Sequence, residues 1–238
     1  MEENQLPVRN EAQMYAVPWS ILDTWLGVGL LVFVNILLLA AVVLGYTSQV
    51  MQNAGVLLVE LIYLLPLVLI FTWRRIHWKY LGFGKFSLNT LALGFVLLTA
   101  SYLIIIPHNL ILDKLGIGTQ GEQILEIFNE LESPIWLVLA GAVVAPVVEE
   151  LFFRGFLFQG FRQKYGWVTA ILLSSAIFAA AHLDPVSLIP TFVLGSVLAY
   201  LYHISNSVWP GIIFHFLVNA FGLLVFYVVT QFPGLIPS

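Results

Sequence analysis

The sequence predicts an all-α membrane protein, a polytopic bundle of about seven transmembrane helices within a range of six to eight. Three observations carry this expectation. Sixty percent of the 238 residues are hydrophobic and only 9% are charged, against roughly a quarter charged in soluble domains. Mean hydropathy is +0.96. Apolar runs of about 20 residues, enough to cross a hydrocarbon core of roughly 30 Å, recur along the whole chain.

The N-terminal stretch "MEENQLPVRNEAQ" sets Glu2, Glu3 and Glu11 against Arg9. The run that follows, Trp25–Tyr46, is too long for a signal-peptide core and lacks a small-residue cleavage site, so it is expected to be a retained span. Ala54–Trp73 is the second span. The loop "WRRIHWKYLGFGK" then carries Arg74, Arg75, Lys79 and Lys85, which the positive-inside rule places in the cytoplasm, together with the N-terminus. Leu88–Leu112 is the third span. The next loop holds Asp113, Glu122, Glu126, Glu130 and Glu132 against Lys114 and is expected outside. Within it, Ile124, Ile127, Phe128 and Leu131 recur at helical spacing opposite the acids, which predicts an amphipathic surface helix over Gly118–Ser133.

Four further runs follow, Pro134–Phe161, Trp167–Leu183, Val186–Tyr202 and Val208–Val229. Arg162 and Lys164 close the first of them, on the cytoplasmic side under the same topology. Trp73, Trp78, Trp136, Trp167 and Trp209 lie near expected span ends, where amphipathic rings favour the interface. The chain therefore divides into an N-terminal three-span region, residues 1–133, and a four-helix core, residues 134–238, within one integrated membrane domain. Lacking cysteine, it has no disulfide, thiolate nucleophile or cysteine-ligated metal. A net charge of -4 offers no basic face to nucleic acid.

From Tyr165 onward Asp184 is the only formally charged residue, so polar groups in the last four spans are informative. The first cluster is Glu149, Glu150 and Arg154 in "EELFFR". Glu150 and Arg154 are four apart and share a helix face, whereas Glu149 points about 100° away and has no partner on its own helix. An intramembrane acid without a local partner is by default a functional-site hypothesis; the alternative is an ion pair at a helix end near the interface. Pro146, one turn earlier, loosens the helix and frees a carbonyl. The second cluster is "FAAAH", Phe178 to His182, where small residues let a neighbouring helix approach. The third is "HFLVN", His215 to Asn219, whose amide needs a partner inside the bundle. Read singly, His182 is an interfacial histidine, and the His215–Asn219 pair is inter-helix glue. Together, two carboxylates, two imidazoles and an amide make up a hydrolytic set with base, proton carrier and oxyanion donors. Ser174 and Ser175 sit in no nucleophile elbow or serine–lysine pair, so water is the expected attacking group.

In spacing, these clusters resemble the CAAX prenyl protease and bacteriocin-processing family of intramembrane endopeptidases, the Abi or type II CAAX group. Its pattern E-E-x-x-x-R, F-x-x-x-H, H-x-x-x-N matches Glu149, Glu150 and Arg154, then Phe178 and His182, then His215 and Asn219, over roughly Pro134 to Phe226. The resemblance implies that Glu149 and His182 activate the attacking water and that Glu150 supports the site and pairs with Arg154. It further implies that His215 and Asn219 stabilise the oxyanion, with Phe178 as structural support. Glu149, His182 and His215 are also a reasonable zinc set with one open position, and the same residues work without metal.

The expected substrate is a membrane-associated peptide or lipidated protein, cut in a cavity among the last four helices of a protein of the bacterial plasma membrane. Two other classes remain open, a non-catalytic scaffold or bacteriocin self-immunity protein, and a transporter using Glu149, Glu150 and Arg154 as a proton or ion relay. His77 and His108 are expected at the interfaces and His203 in a structural role, and Glu60 is assigned none. One difficulty stands in the expected topology. His182 falls near the external end of its helix, Glu149 near the middle and His215 about two turns from the cytoplasmic end, depths that do not meet unless helices are tilted or broken.

Overall fold

The computed structural model describes residues 15–45, 55–117 and 134–232. The acidic N-terminal residues and the amphipathic segment expected over 118–133 lie outside them. The described residues are helical, with no strand beyond a single bridge between Phe83 and Ser207. Their helices are α1 (Ile21–Val43), α2 (Gly55–Ile62), α3 (Leu65–Arg74) and α4 (Leu88–Lys114). After these comes α5, a composite helix assembled from Pro134–Leu137, Val138–Val144, Ala145–Glu149, Glu150–Phe158 and Gln159–Tyr165, and finally α6 (Trp167–Ala181), α7 (Leu188–Ser205) and α8 (Trp209–Gln231).

Each of the expected spans contains a helix, and the candidate crossings among the described residues fall at the low end of the expected range. Five of their helices are long and apolar enough to cross a membrane, and α2 with α3, bent by 43° at the Tyr63–Leu64 break, makes a sixth candidate. The apolar α6 has 15 residues, about 22 Å of helix, less than the roughly 30 Å of hydrocarbon.

Aromatic packing holds the core together. Phe152, Phe156 and Phe158 on α5 are buried together with Trp19, Phe71, Phe178 and Tyr202. Polar contacts tie one end of the bundle. Arg74 pairs with Asp23 at 2.7 Å, Gln159 Nε2 donates to the Tyr80 carbonyl at 2.7 Å, Arg162 to Asn206 Oδ1 at 2.9 Å, and the Val17 amide to Gln163 Oε1 at 2.6 Å. The basic loop after α3, the basic end of α5 and the segment before α1 therefore share an end, as the charge pattern requires of one topology.

At that end Leu81, Ser207 and Val208 are fully buried, and their turns interlock through Val208 N–H donating to the Gly82 carbonyl at 2.8 Å and Ser207 Oγ to the Gly84 carbonyl at 2.7 Å. The difficulty of depth is met in the bundle itself, where His215, Glu149 and His182 line one space.

Candidate functional site

Three features of α5 place its charged residues. First, Val138–Val144 and Glu150–Phe158 are π-helical, a widened turn that often marks functional sites. Second, in this register the Ala145 amide reaches back to the Ala140 carbonyl. The next carbonyl, Gly141, would pair with residue 146, which is proline and has no N–H. Asn219 Nδ2 on α8 donates to Gly141 O at 2.8 Å instead. The carbonyl freed by Pro146 and the partner needed by Asn219 answer one another. Third, Glu150 and Arg154 remain four apart and pair at 2.6 Å, with side chains only 0% and 1% exposed.

Arg154 is locked further by donating to the Gly195 carbonyl at 3.2 Å and by stacking its guanidinium 4.4 Å from the Phe178 ring centroid. Cation–π contact strengthens as water is excluded. The Phe178 ring also meets His182 edge-on at 4.8 Å and His215 at 5.8 Å, so one aromatic side chain separates and orients both imidazoles and the guanidinium.

His215 is buried and lies between the adjacent glutamates, with Nε2 3.6 Å from Glu149 Oε2 and Nδ1 3.4 Å from Glu150 Oε1. That proximity depends on Gly211, one turn earlier on α8. A Cβ there would collide with Oε2 of Glu150. His182, by contrast, is exposed. Its Nδ1 lies 2.8 Å from the Phe178 carbonyl, and because a carbonyl only accepts, Nδ1 carries a proton and Nε2 is the nitrogen left for the cavity.

Glu149, Phe178, His182, His215 and Asn219 all line one cavity of about 770 Å³, while Glu150 and Arg154 form its buried support. The sequence-predicted residues are thus brought together, with one qualification for Asn219, since one of its N–H groups is already committed to Gly141. Among the described residues no group of three histidine, aspartate or glutamate side chains is arranged to hold a metal ion. Glu149, His182 and His215 share the cavity without forming a preformed zinc site.

Several positions escaped the sequence. Glu60 on α2 lines the same cavity, and its signal was an acid in an apolar run with no partner four residues away. Asp184 supports the backbone beyond α6, where Leu183 has φ +54°, by accepting from the amides of Val186 at 3.0 Å and Ser187 at 3.2 Å. A break at membrane depth needs such partners. Gly141 and Gly211 carry no signal legible in one sequence. Of the remaining histidines, His77 caps the 3₁₀ turn Trp78–Leu81 by accepting from Lys79 N, His108 is half-buried beside Asn109, and His203 stacks on Trp167 at 4.9 Å.

Comparison with known proteins bears out the resemblance read from the motifs. Residues 131–221 match the family described as "Type II CAAX prenyl endopeptidase Rce1-like", a segment that holds all three motifs. The chain is similar to "Putative membrane peptidase YdiL" of Bacillus subtilis (strain 168), 28% identical over 110 residues, 46% of this chain and 45% of that one. It is also similar to "UPF0177 protein YxdF" of Lactococcus lactis subsp. lactis (strain IL1403), 30% identical over 96 residues, 40% of this chain and 52% of that one. The chain spans about half the length of the curated relatives it matches. No solved structure matches.

Proposed function

We propose that this integral membrane protein is a CAAX-type endopeptidase that hydrolyses a peptide bond of a membrane-associated or lipidated substrate with a water activated by Glu149 and His182. The observation that carries the reading is the convergence of Glu149, His182, His215 and Asn219 on one cavity, with Glu150 locked behind it by Arg154. The similarity of residues 131–221 to a prenyl endopeptidase family supports the same chemistry.

In this mechanism water enters the cavity and gives its proton to Glu149, assisted by the Nε2 lone pair of His182. Attack on the scissile carbonyl builds a tetrahedral oxyanion, which His215 and the second N–H of Asn219 stabilise. Proton return to the leaving amine restores the carboxylate, as general acid–base catalysis requires. Glu150 takes no proton in this scheme; it holds His215 in place. Under the positive-inside rule the end bearing Arg74, Lys79 and Arg162 faces the cytoplasm, and the host membrane is a bacterial plasma membrane.

The test compares membranes containing wild type with membranes containing Glu149→Ala by mass spectrometry of newly formed peptide termini, with and without a zinc chelator. Termini that require Glu149 support the proposal. A fall in their rate of at least about 100-fold is expected on removing a general base. Their loss on chelation would assign a metal to the cavity, and their persistence would leave the Glu149–His182 pair to act alone. Identical termini from both membranes refute the peptidase and leave the scaffold and transport readings.

A further inference from the structure

The cavity is unbalanced in charge. It is lined by two carboxylates, Glu60 and Glu149, and among the described residues lining it there is no lysine or arginine. The nearest guanidinium, Arg154, lies behind the wall, bound to Glu150 and the Gly195 carbonyl. Glu149 has His215 within ion-pair reach. Among the described residues Glu60 has no such neighbour: their ion pairs are Arg74–Asp23, Arg154–Glu150 and the two contacts of His215.

Position as well as charge is built in. Glu60 lies in the last turn of α2, and its carbonyl accepts from the Tyr63 amide at 3.2 Å in the bend that separates α2 from α3. That bend is pinned to α1, because Tyr63 Oη donates to Asn35 Oδ1 at 3.0 Å and Asn35 Nδ2 donates to the Leu31 carbonyl at 3.0 Å. A carboxylate in an apolar run, lining a cavity that also holds a second acid, is costly until a proton or a cation neutralises it, and a cavity of about 770 Å³ has room for a cationic side chain.

We infer that Glu60 is a specificity-determining residue whose carboxylate receives a cationic group of the peptide substrate, an ammonium or guanidinium close to the bond that is cut. The inference rests on the peptidase reading of the same cavity. Glu149 works on the scissile carbonyl while Glu60 selects which peptides arrive with a positive charge in register, and the shared chemistry covers lysine, arginine and a free α-amine.

The experiment uses the full chain in liposomes and synthetic peptides built on a cleavage site mapped in wild-type membranes. A single lysine is walked along the peptide on both sides of the scissile bond, and each peptide is paired with its acetyl-lysine counterpart, which keeps the shape and removes the charge. A second set carries arginine, and a third an unblocked N-terminus, so the three cation sources are separated. Wild type should prefer lysine over acetyl-lysine at one position. Glu60→Gln should lower kcat/KM for that lysine peptide by roughly 10- to 100-fold, the loss expected for one charge-assisted hydrogen bond, while changing the acetyl-lysine peptide less than about twofold. Glu60→Lys should shift preference toward a glutamate peptide.

Equal loss for charged and neutral peptides in Glu60→Gln would overturn the inference, since a proton carrier or a purely structural acid acts on all substrates alike. Absence of a lysine preference at every position in wild type would overturn it too. Melting temperatures in detergent keep a folding defect apart from a specificity defect. Unchanged cleavage by Glu149→Ala would instead overturn the underlying peptidase reading, so the two failures are distinguishable.

Discussion

Replacing Arg154 by methionine tests whether the buried ion pair is the support of the site. Both side chains are sealed, at 1% and 0% exposure and 2.6 Å apart. Removing one partner leaves Glu150 as an uncompensated charge. Such truncations cost about 3–5 kcal/mol. Arg154→Met is therefore expected to cost at least ~3 kcal/mol. The double variant Glu150→Gln/Arg154→Met removes the charge as well as its partner, and should recover most of that loss because a neutral buried pair needs no counterion. Reversible unfolding of the purified proteins in mixed micelles measures the three stabilities. Wild-type stability in Arg154→Met, or a double variant less stable than the single one, would refute the reasoning. Activity should stay low in both variants, since Arg154→Met frees Glu150 from the position in which it faces His215 and the double variant replaces Glu150 itself.

Gly211→Ala should destabilise by about 1–3 kcal/mol, the usual cost of overpacking, and depress cleavage by pushing Glu150 from His215. Gly222→Ala on the same helix, where a Cβ meets nothing within 4 Å, should be neutral or stabilising by up to about 1 kcal/mol, and comparing the two melting curves checks both. Pro146→Ala returns a backbone N–H opposite Gly141, so Asn219→Ala should cost less in that background than in wild type, by about 0.5–1.5 kcal/mol for one hydrogen bond, as a double-mutant cycle would read. Asp184→Ala should destabilise by about 0.5–2 kcal/mol through loss of its two amide contacts, whereas Asp184→Asn should retain most of them. Comparable unfolding midpoints for the two Asp184 variants would contradict that assignment.

The sequence was informative where chemistry is costly in lipid. Glu150 and Arg154 announced their pairing because four residues along a helix is contact distance and an isolated charge is forbidden. His182 and His215 were legible as motif members, but their meeting was not, because it depends on how α5, α6 and α8 pack around Phe178. Hydropathy measures how oily a run is and not where its ends lie. The relation between Pro146, Gly141 and Asn219 was visible in halves, as a carbonyl without a donor and an amide without an acceptor. Joining them required the π register, which no residue count predicts. Glu60 was visible and left without a role, since only the bend at Tyr63 shows what it faces.

The hydrogen bond from Asn219 to Gly141 makes one helix the completion of another. Until α8 enters the membrane, α5 carries a carbonyl that neither lipid nor its own backbone can satisfy. During synthesis α5 brings Glu149 and Glu150 before α8 is made. Helix α8 then delivers His215 between the two glutamates and the amide that closes the gap, so the cavity wall and the integrity of the helix are completed in the same event. On the peptidase reading proposed above, the cavity therefore stays incomplete until α5 and α8 are both in place.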